Sequence, residues 1–221
     1  MAGNVVTGDD PIEHELDSTQ PESQVPSGCE TNLQADFALA NAWQVWILDE
    51  SELMGNDWNV KKHGPVAQSG RQFWSNYSQV YVLFEDIKLK NLMIFQDQIE
   101  PKWEDAANIG GGRWYFDAPY NSRSEANRRE CLLRPNYWTG CLETVLSGCL
   151  GVPGSLVVGL ILNFKACKYR VSLWIRSCSD FNQVIQLGAS LRSALNLRCQ
   201  LKFELHSPAT STNSNSVLEL N

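Results

Sequence analysis

The sequence has little of what most enzymes use. Its only histidines, His14, His63 and His206, are scattered and have no Cys or carboxylate neighbour at metal-ligand spacing, which leaves zinc clusters and histidine-based triads without support. Seven cysteines (Cys29, Cys131, Cys141, Cys149, Cys167, Cys178 and Cys199) form no CxxC pair and are odd in number. No secretory-type leader opens the chain, so these are expected to be reduced thiols in a cytoplasmic or also nuclear protein. The longest apolar run, Ser155 to Phe164, is about half the ~20 residues a membrane helix needs and reads as a buried strand. Neither phosphate-loop nor dinucleotide-fold glycine patterns occur, and no period of 20–50 residues recurs. Lys and Arg are absent from Met1 to Val60.

That last absence changes the meaning of the net charge of −7, which taken alone argues against a nucleic-acid binder. Met1 to Val60 carries 12 Asp and Glu, while the remainder holds all 18 basic residues against 13 acidic ones, a balance of +5. A mildly basic folded part suits a small, highly charged anion. Residues 1–35, rich in Asp, Glu, Pro, Ser and Gln, cannot bury enough apolar surface to order themselves and are expected to be a disordered acidic tail. Residues 36–206 make one folded domain, and 207–221 a polar flexible tail. What the chain has in abundance is tryptophan, eight in 221 residues, a side chain kept for burial or stacking.

Ala42 to Leu48, Leu92 to Phe95 and Arg113 to Asp117 are aromatic or β-branched enough for strands. Phe73, Trp74, Tyr77 and Val80 predict an amphipathic helix over Gly70 to Tyr81. Ser122 to Leu150 is helix-like, interrupted at Pro135 and loosened by Thr139 and Gly140. Leu156 to Phe164 and Tyr169 to Arg176 flank KACK and predict a hairpin with a basic turn. Asp180 and Gln183 suggest a capping box opening a helix with Val184, Leu187, Leu191 and Leu195 on one face. Alternation from Leu197 to Leu205 predicts a strand with one buried face. Strands without regular βαβ alternation point to an α+β fold, with helices on one face of a mainly antiparallel sheet.

The segment from Ile99 to Asp117, IEPKWEDAANIGGGRWYFD, carries the most chemistry. Trp103 offers an aromatic platform, Glu104 an adjacent acceptor, and Arg113 a cation beyond a glycine run. Those parts can hold a cationic flat ring, hydrogen-bond its donor edge and neutralise an attached phosphate.

Over roughly Asp36 to His206 the chain resembles the eukaryotic translation initiation factor 4E family. WQVW at Trp43 to Trp46, QFWSNY at Gln72 to Tyr77, IEPKWED at Ile99 to Asp105, GGRW at Gly111 to Trp114, LETVL at Leu142 to Leu146, and VSLW ending at Trp174 carry the likeness. The resemblance implies a curved, mainly antiparallel sheet with three helices on its convex face and a slot for the 7-methylguanosine cap of messenger RNA on the concave face. It implies a base held between Trp58 and Trp103, its edge bound by Glu104, and its methyl group against Trp174. The cap phosphates fall to Arg113, Lys165, Arg170 and Lys168. Trp43, Trp46, Trp114 and Trp138 remain as packing residues.

The same resemblance implies a partner surface. Trp74, Leu142, Glu143, Leu146 and Leu39 match the convex face onto which a scaffold or repressor protein packs an amphipathic helix. The chain is accordingly expected to be a non-enzymatic translation factor, monomeric within a heteromeric initiation complex, with capped messenger RNA as ligand, no cofactor, no metal and no membrane contact. Phe37, Ala38 and Leu39 stand where the family has His-Pro-Leu. Gly70 replaces an apolar residue, Cys167 a common phosphate-binding Lys, and ELMGND lengthens the loop before Trp58, which marks a divergent member. The alternative reading is a family adaptor or translational repressor with weak or altered cap affinity.

Overall fold

A computed structural model describes residues 36–49, 59–83, 89–119, 132, 136–165, 168–206 and 218–220. The tail expected over 1–35 therefore lies outside the described residues, as does the part of the helix expected over 122–131 and 133–135. The described chain runs β1 (Ala38–Asp49), β2 (Lys61–Ser69), α1 (Gly70–Leu83), β3 (Leu89–Gln96), β4 (Gly112–Pro119), α2 (Tyr137–Leu146), β5 (Val157–Phe164), β6 (Lys168–Ile175), α3 (Phe181–Leu195), β7 (Leu201–Leu205) and β8 (Leu218–Leu220). The strands form one curved, fully antiparallel sheet in the order β2-β1-β3-β5-β6-β4-β7-β8.

Period-two alternation sorts each strand into two faces. Trp114, Phe116 and Ala118 of β4, Leu160, Leu162 and Phe164 of β5, and Tyr169, Val171, Leu173 and Ile175 of β6 join the main core. The helices cover that face through Phe73, Tyr77 and Val80 of α1, Trp138, Leu142 and Val145 of α2, and Val184, Leu187 and Leu191 of α3. Buried indoles there find acceptors: Trp114 Nε1 donates to the Val184 carbonyl at 2.9 Å, and Trp138 Nε1 to the Tyr77 hydroxyl at 2.8 Å. The opposite, concave face has a smaller apolar cluster of Trp46, Leu48, Met93, Phe95, Ile99, Val158, Ile161 and Trp174.

Two local outcomes differ from expectation, and one strand lies where the sequence pattern marks none. KKHGPVAQS has too few β-formers to read as a strand, yet it is β2, because an edge strand tolerates Pro65 and a bulge absorbs Gly64 at φ +67°. Gln44 Nε2 donates to the His63 and Gly64 carbonyls at 3.0 and 3.1 Å, and Asn76 Nδ2 to Pro65 O at 2.6 Å, so the irregular backbone keeps its acceptors occupied. Thr139 and Gly140 start α2 rather than loosen it: Asn136 and Thr139 form a reciprocal capping box, and Gly140 leaves room for Leu195. Leu218–Leu220 pair with β7, so the last part of the expected flexible tail belongs to the sheet, while 207–217 lie outside the described residues.

At α3, Asp180 accepts from the backbone N–H groups of Asn182 and Gln183. Gln183 Nε2 donates to the Asp180 carboxylate at 2.9 Å, bracing the cap through side chains where a capping box was expected. The helix stops at Asn196, whose left-handed backbone (φ 47°) turns the chain into β7. Among the described cysteines, Cys141, Cys149, Cys178 and Cys199 are free thiols. No helix among the described residues is long and apolar enough to cross a membrane.

Candidate functional site

On the concave face the strand side chains leave a groove of about 760 Å³. The loop after β3 contributes Trp103 and Glu104 to its wall, β4 contributes Arg113, β5 Ile161 and Asn163, and β6 Arg170 and Trp174, with Lys165 just past β5. Six of the residues expected at the site, Trp103, Glu104, Trp174, Arg113, Lys165 and Arg170, thus line one cavity. Strand parity explains their company: 170, 172 and 174 share one face of β6, and 113, 115 and 117 one face of β4. Trp58 and Cys167 lie outside the described residues.

Trp103 is held by a loop that closes on itself. The Asp105 carboxylate accepts from the N–H groups of Glu100 and Ala107 at 2.9 and 2.8 Å. The fully buried Asn108 donates through Nδ2 to the carbonyls of Glu100 and Lys102 at 2.9 and 2.7 Å. The loop ends where Gly111 meets the Ile175 carbonyl so closely that a Cβ would lie 2.0 Å from it. Trp103 remains half-buried, with its ring beside the cavity, while Glu104 is exposed at the rim.

His206, which sequence reasoning left aside, packs against two of the groove's indoles. Its imidazole lies nearly parallel to Trp103 (10°, centroids 6.2 Å) and against Trp174 (centroids 4.1 Å). One ring nitrogen, Nδ1, donates to the Asn108 carbonyl at 3.0 Å, whereas Nε2 is buried without a partner. Burial and the nearby Arg113 push its pKa down to about 4, so the ring is neutral at physiological pH. The position could have been flagged only by counting β7 out to its end, beside the Trp103 loop. Trp174 itself is only 2% exposed, packed edge-on to Phe95 at 5.4 Å, and its Nε1 has no partner.

Arg113 and Arg170 are not freely solvated charges. Arg113 pairs with Glu204, a buried carboxylate directly opposite it on β7, and its guanidinium lies over the rings of Trp103 and Tyr115. Arg170 forks onto Asp117, directly opposite on β4, through Nε and Nη2 at 2.7 and 3.0 Å. It also stacks 4.2 Å from the Tyr115 centroid. Lys168 does not reach the groove lining; its Nζ donates to the same Asp117 carboxylate at 2.5 Å. Despite the cost of burial, hydrogen bonds from Arg170 and Lys168 hold Asp117 far below the usual carboxylate range. Glu204 also departs from the expected wet face of β7, since it is buried while Leu205 is 48% exposed.

The residues expected at the partner surface are spread differently. Trp74 is half-buried, edge-on to Phe73 and Tyr77 at 5.2 and 5.5 Å, and Glu143 is exposed. Leu39 packs partly against the core, whereas Leu142 is fully buried and Leu146 nearly so. Leu142 therefore fills the core beneath α2 instead of presenting surface, because the apolar face of that helix turns onto the sheet. Among the described residues, no group of three or more His, Cys, Asp or Glu side chains could hold a metal ion.

Residues 38–219 match the model of the family described as eukaryotic initiation factor 4E. The chain belongs to that family. Similar curated relatives include the eukaryotic translation initiation factor 4E of Candida albicans, 26% identical over 78% of this chain and 80% of that one. Another is initiation factor 4E-1 of Schizosaccharomyces pombe, 24% identical over 84% and 81%. Among solved structures, the fold is shared with Ascaris suum eIF4E-3 in complex with an m7G cap (TM-score 0.66, 21% identity, 84% of this chain and 98% of that one). It is shared too with C. elegans eIF4E-3 bound to the 4E-binding protein Mextli (TM-score 0.68, 23% identity, 84% and 100%). The initiation factor 4E likeness thus covers the sheet, its helices and the groove-bearing loop after β3.

Proposed function

We propose that this initiation factor 4E family member binds the 7-methylguanosine 5′ cap of messenger RNA in the concave groove and recruits a scaffold protein for translation initiation through the helical face around Trp74. The observation that supports the reading is a single cavity lined by an indole, a rim carboxylate and a row of cations. Methylation at N7 makes guanine cationic and electron-poor, so an indole face attracts it by stacking and by cation–π interaction. Trp103 supplies one such face. The second is Trp58, assigned by sequence resemblance alone.

Glu104 at the rim accepts from the N1–H and exocyclic amine of guanine, an edge that adenine and pyrimidines do not offer. The N7 methyl group is directed at Trp174 on the groove floor. Phosphates extend along the concave face past Arg113, Lys165 and Arg170, with Lys168 beyond. Relatives bear on both halves of the reading: Ascaris suum eIF4E-3 is solved with m7G and m2,2,7G caps, and a schistosome eIF4E with m7GpppA and a 4E-BP. For the partner, Trp74 and Glu143 offer surface, while Leu142 and Leu146 support it from below. The role is binding, not turnover, in the cytoplasm.

Retention on a 7-methylguanosine resin tests the proposal. The protein is expected to elute with 7-methyl-GTP and not with GTP, and Trp103→Ala to lose retention by at least about ten-fold. Equal elution by both nucleotides would remove the specificity for the methylated base. Trp74→Ala is expected to keep cap binding and weaken capture of a scaffold partner.

A further inference from the structure

We propose that Glu204 and Asp117 set the phosphate preference of the groove. By neutralising Arg113 and Arg170 they make binding of an N7-methylated guanine nucleotide only weakly dependent on how many phosphates it carries. The inference rests on the cap-binding reading above and concerns which part of the cap supplies the affinity.

Both pairs are built into the sheet. Arg113 and Glu204 are direct cross-strand partners of β4 and β7, and Asp117 and Arg170 of β4 and β6, so neither depends on a chance surface rotamer. The Glu204 side chain is 7% exposed and that of Arg113 21%, a pair largely withdrawn from water. Arg170 presents Nε and Nη2 to Asp117, and its guanidinium carbon lies 4.2 Å from the Tyr115 centroid, so a carboxylate already holds one bidentate edge of the guanidinium that a phosphate would use. Tyr115 also touches Arg113, so the row Glu204, Arg113, Tyr115, Arg170, Asp117, Lys168 runs along the concave face as one paired network.

The rest of the groove adds little excess charge. Lys102 pairs with Glu100 at 2.7 Å, and Glu104 stands at the rim. Lys102, Arg113, Lys165, Arg170 and Lys168 therefore face Glu100, Glu104, Asp117 and Glu204, a near balance. A phosphate chain entering such a site competes with these carboxylates for the two guanidinium groups, and added phosphates bring repulsion along with attraction. The methylated ring, bound by stacking and by Glu104, keeps its full interaction.

Tryptophan-fluorescence titration of the full chain with 7-methyl-GMP and 7-methyl-GTP, at fixed low ionic strength, reads the ratio directly. The wild type is expected to favour the triphosphate by less than about thirty-fold. Glu204→Gln and Asp117→Asn each raise that ratio by about five-fold or more, chiefly through the triphosphate. Glu204→Gln removes a buried partner and is checked by thermal melting; Asp117→Asn, at a less buried position (25% exposed against 7%), carries the test if it does not fold. A wild-type ratio above about thirty-fold, or a folded variant with an unchanged ratio, overturns the proposal. Absence of binding by both nucleotides, or equal binding of GMP and 7-methyl-GMP, overturns the cap-binding reading instead and the inference with it.

Discussion

His206 is held uncharged between two indoles, and that has a measurable consequence for pH. Its folded pKa of about 4 lies below the value near 6.5 that an unfolded histidine has, so the unfolded chain takes up a proton that the folded chain refuses. Stability is accordingly complete above pH ~6.5 and is lost as pH falls towards about 4, by up to about 3 kcal/mol from this group. Urea midpoints measured across that window are expected to decline in the wild type and to flatten in His206→Phe, which keeps a ring against Trp103 and Trp174. Asp117 acts in a lower range: its depressed pKa gives stability that is present above the unfolded value and lost only as acid protonates the folded carboxylate. Histidines with no partner in sequence looked inert; the partners of His206 are a backbone carbonyl and two rings brought from residues 103, 108 and 174.

Among the elements, α3 shows how closely a helix is fitted to the sheet. A Cβ at Gly188 would lie 2.5 Å from Trp114 Cζ2, so the glycine lets the helix backbone rest on a fully buried indole. Gly188→Ala is expected to cost about 1–3 kcal/mol, seen as a lower thermal midpoint, even though alanine is the better helix former. Elements of this kind were legible where the pattern was strong. The 3.6-residue spacing of Phe73, Tyr77 and Val80 and of Val184, Leu187 and Leu191 gave α1 and α3 with their buried faces. The β5–β6 hairpin followed from two apolar runs around a basic turn. β2 was not legible, since its Gly64 and Pro65 are tolerated only because of a place at the sheet edge that local composition does not encode. The groove lining was legible as residue types, and Glu204 was not, because a carboxylate in an alternating strand reads as solvent-facing until its partner across the sheet is known.

At the scale of the whole molecule, one sheet separates two tasks: a large core under the helices gives stability, and a smaller apolar patch on the other face underlies the groove. The strand order, with β6 between β5 and β4 and with β7 and β8 beyond, brings residues from 91 to 174 around one cavity. No local pattern in the chain dictates that order. β8 is tied in by more than its three residues: Arg192 Nη1 donates to the Leu220 carbonyl at 3.2 Å, and Lys202 pairs with Glu219 at 2.9 Å. Truncation after His206 is therefore expected to lower the thermal midpoint by several degrees, checked by calorimetry. The two rims of the sheet also bear on behaviour in solution at high concentration. One rim is β2, carrying Lys61, Lys62 and Pro65; the other is β8, only three residues long. Neither offers a long run of bare donors and acceptors for another copy to extend. Removing β8 uncovers β7, and the truncated protein is expected to self-associate through that strand, seen as larger species in sedimentation; the short terminal strand would then be what keeps the molecule dispersed.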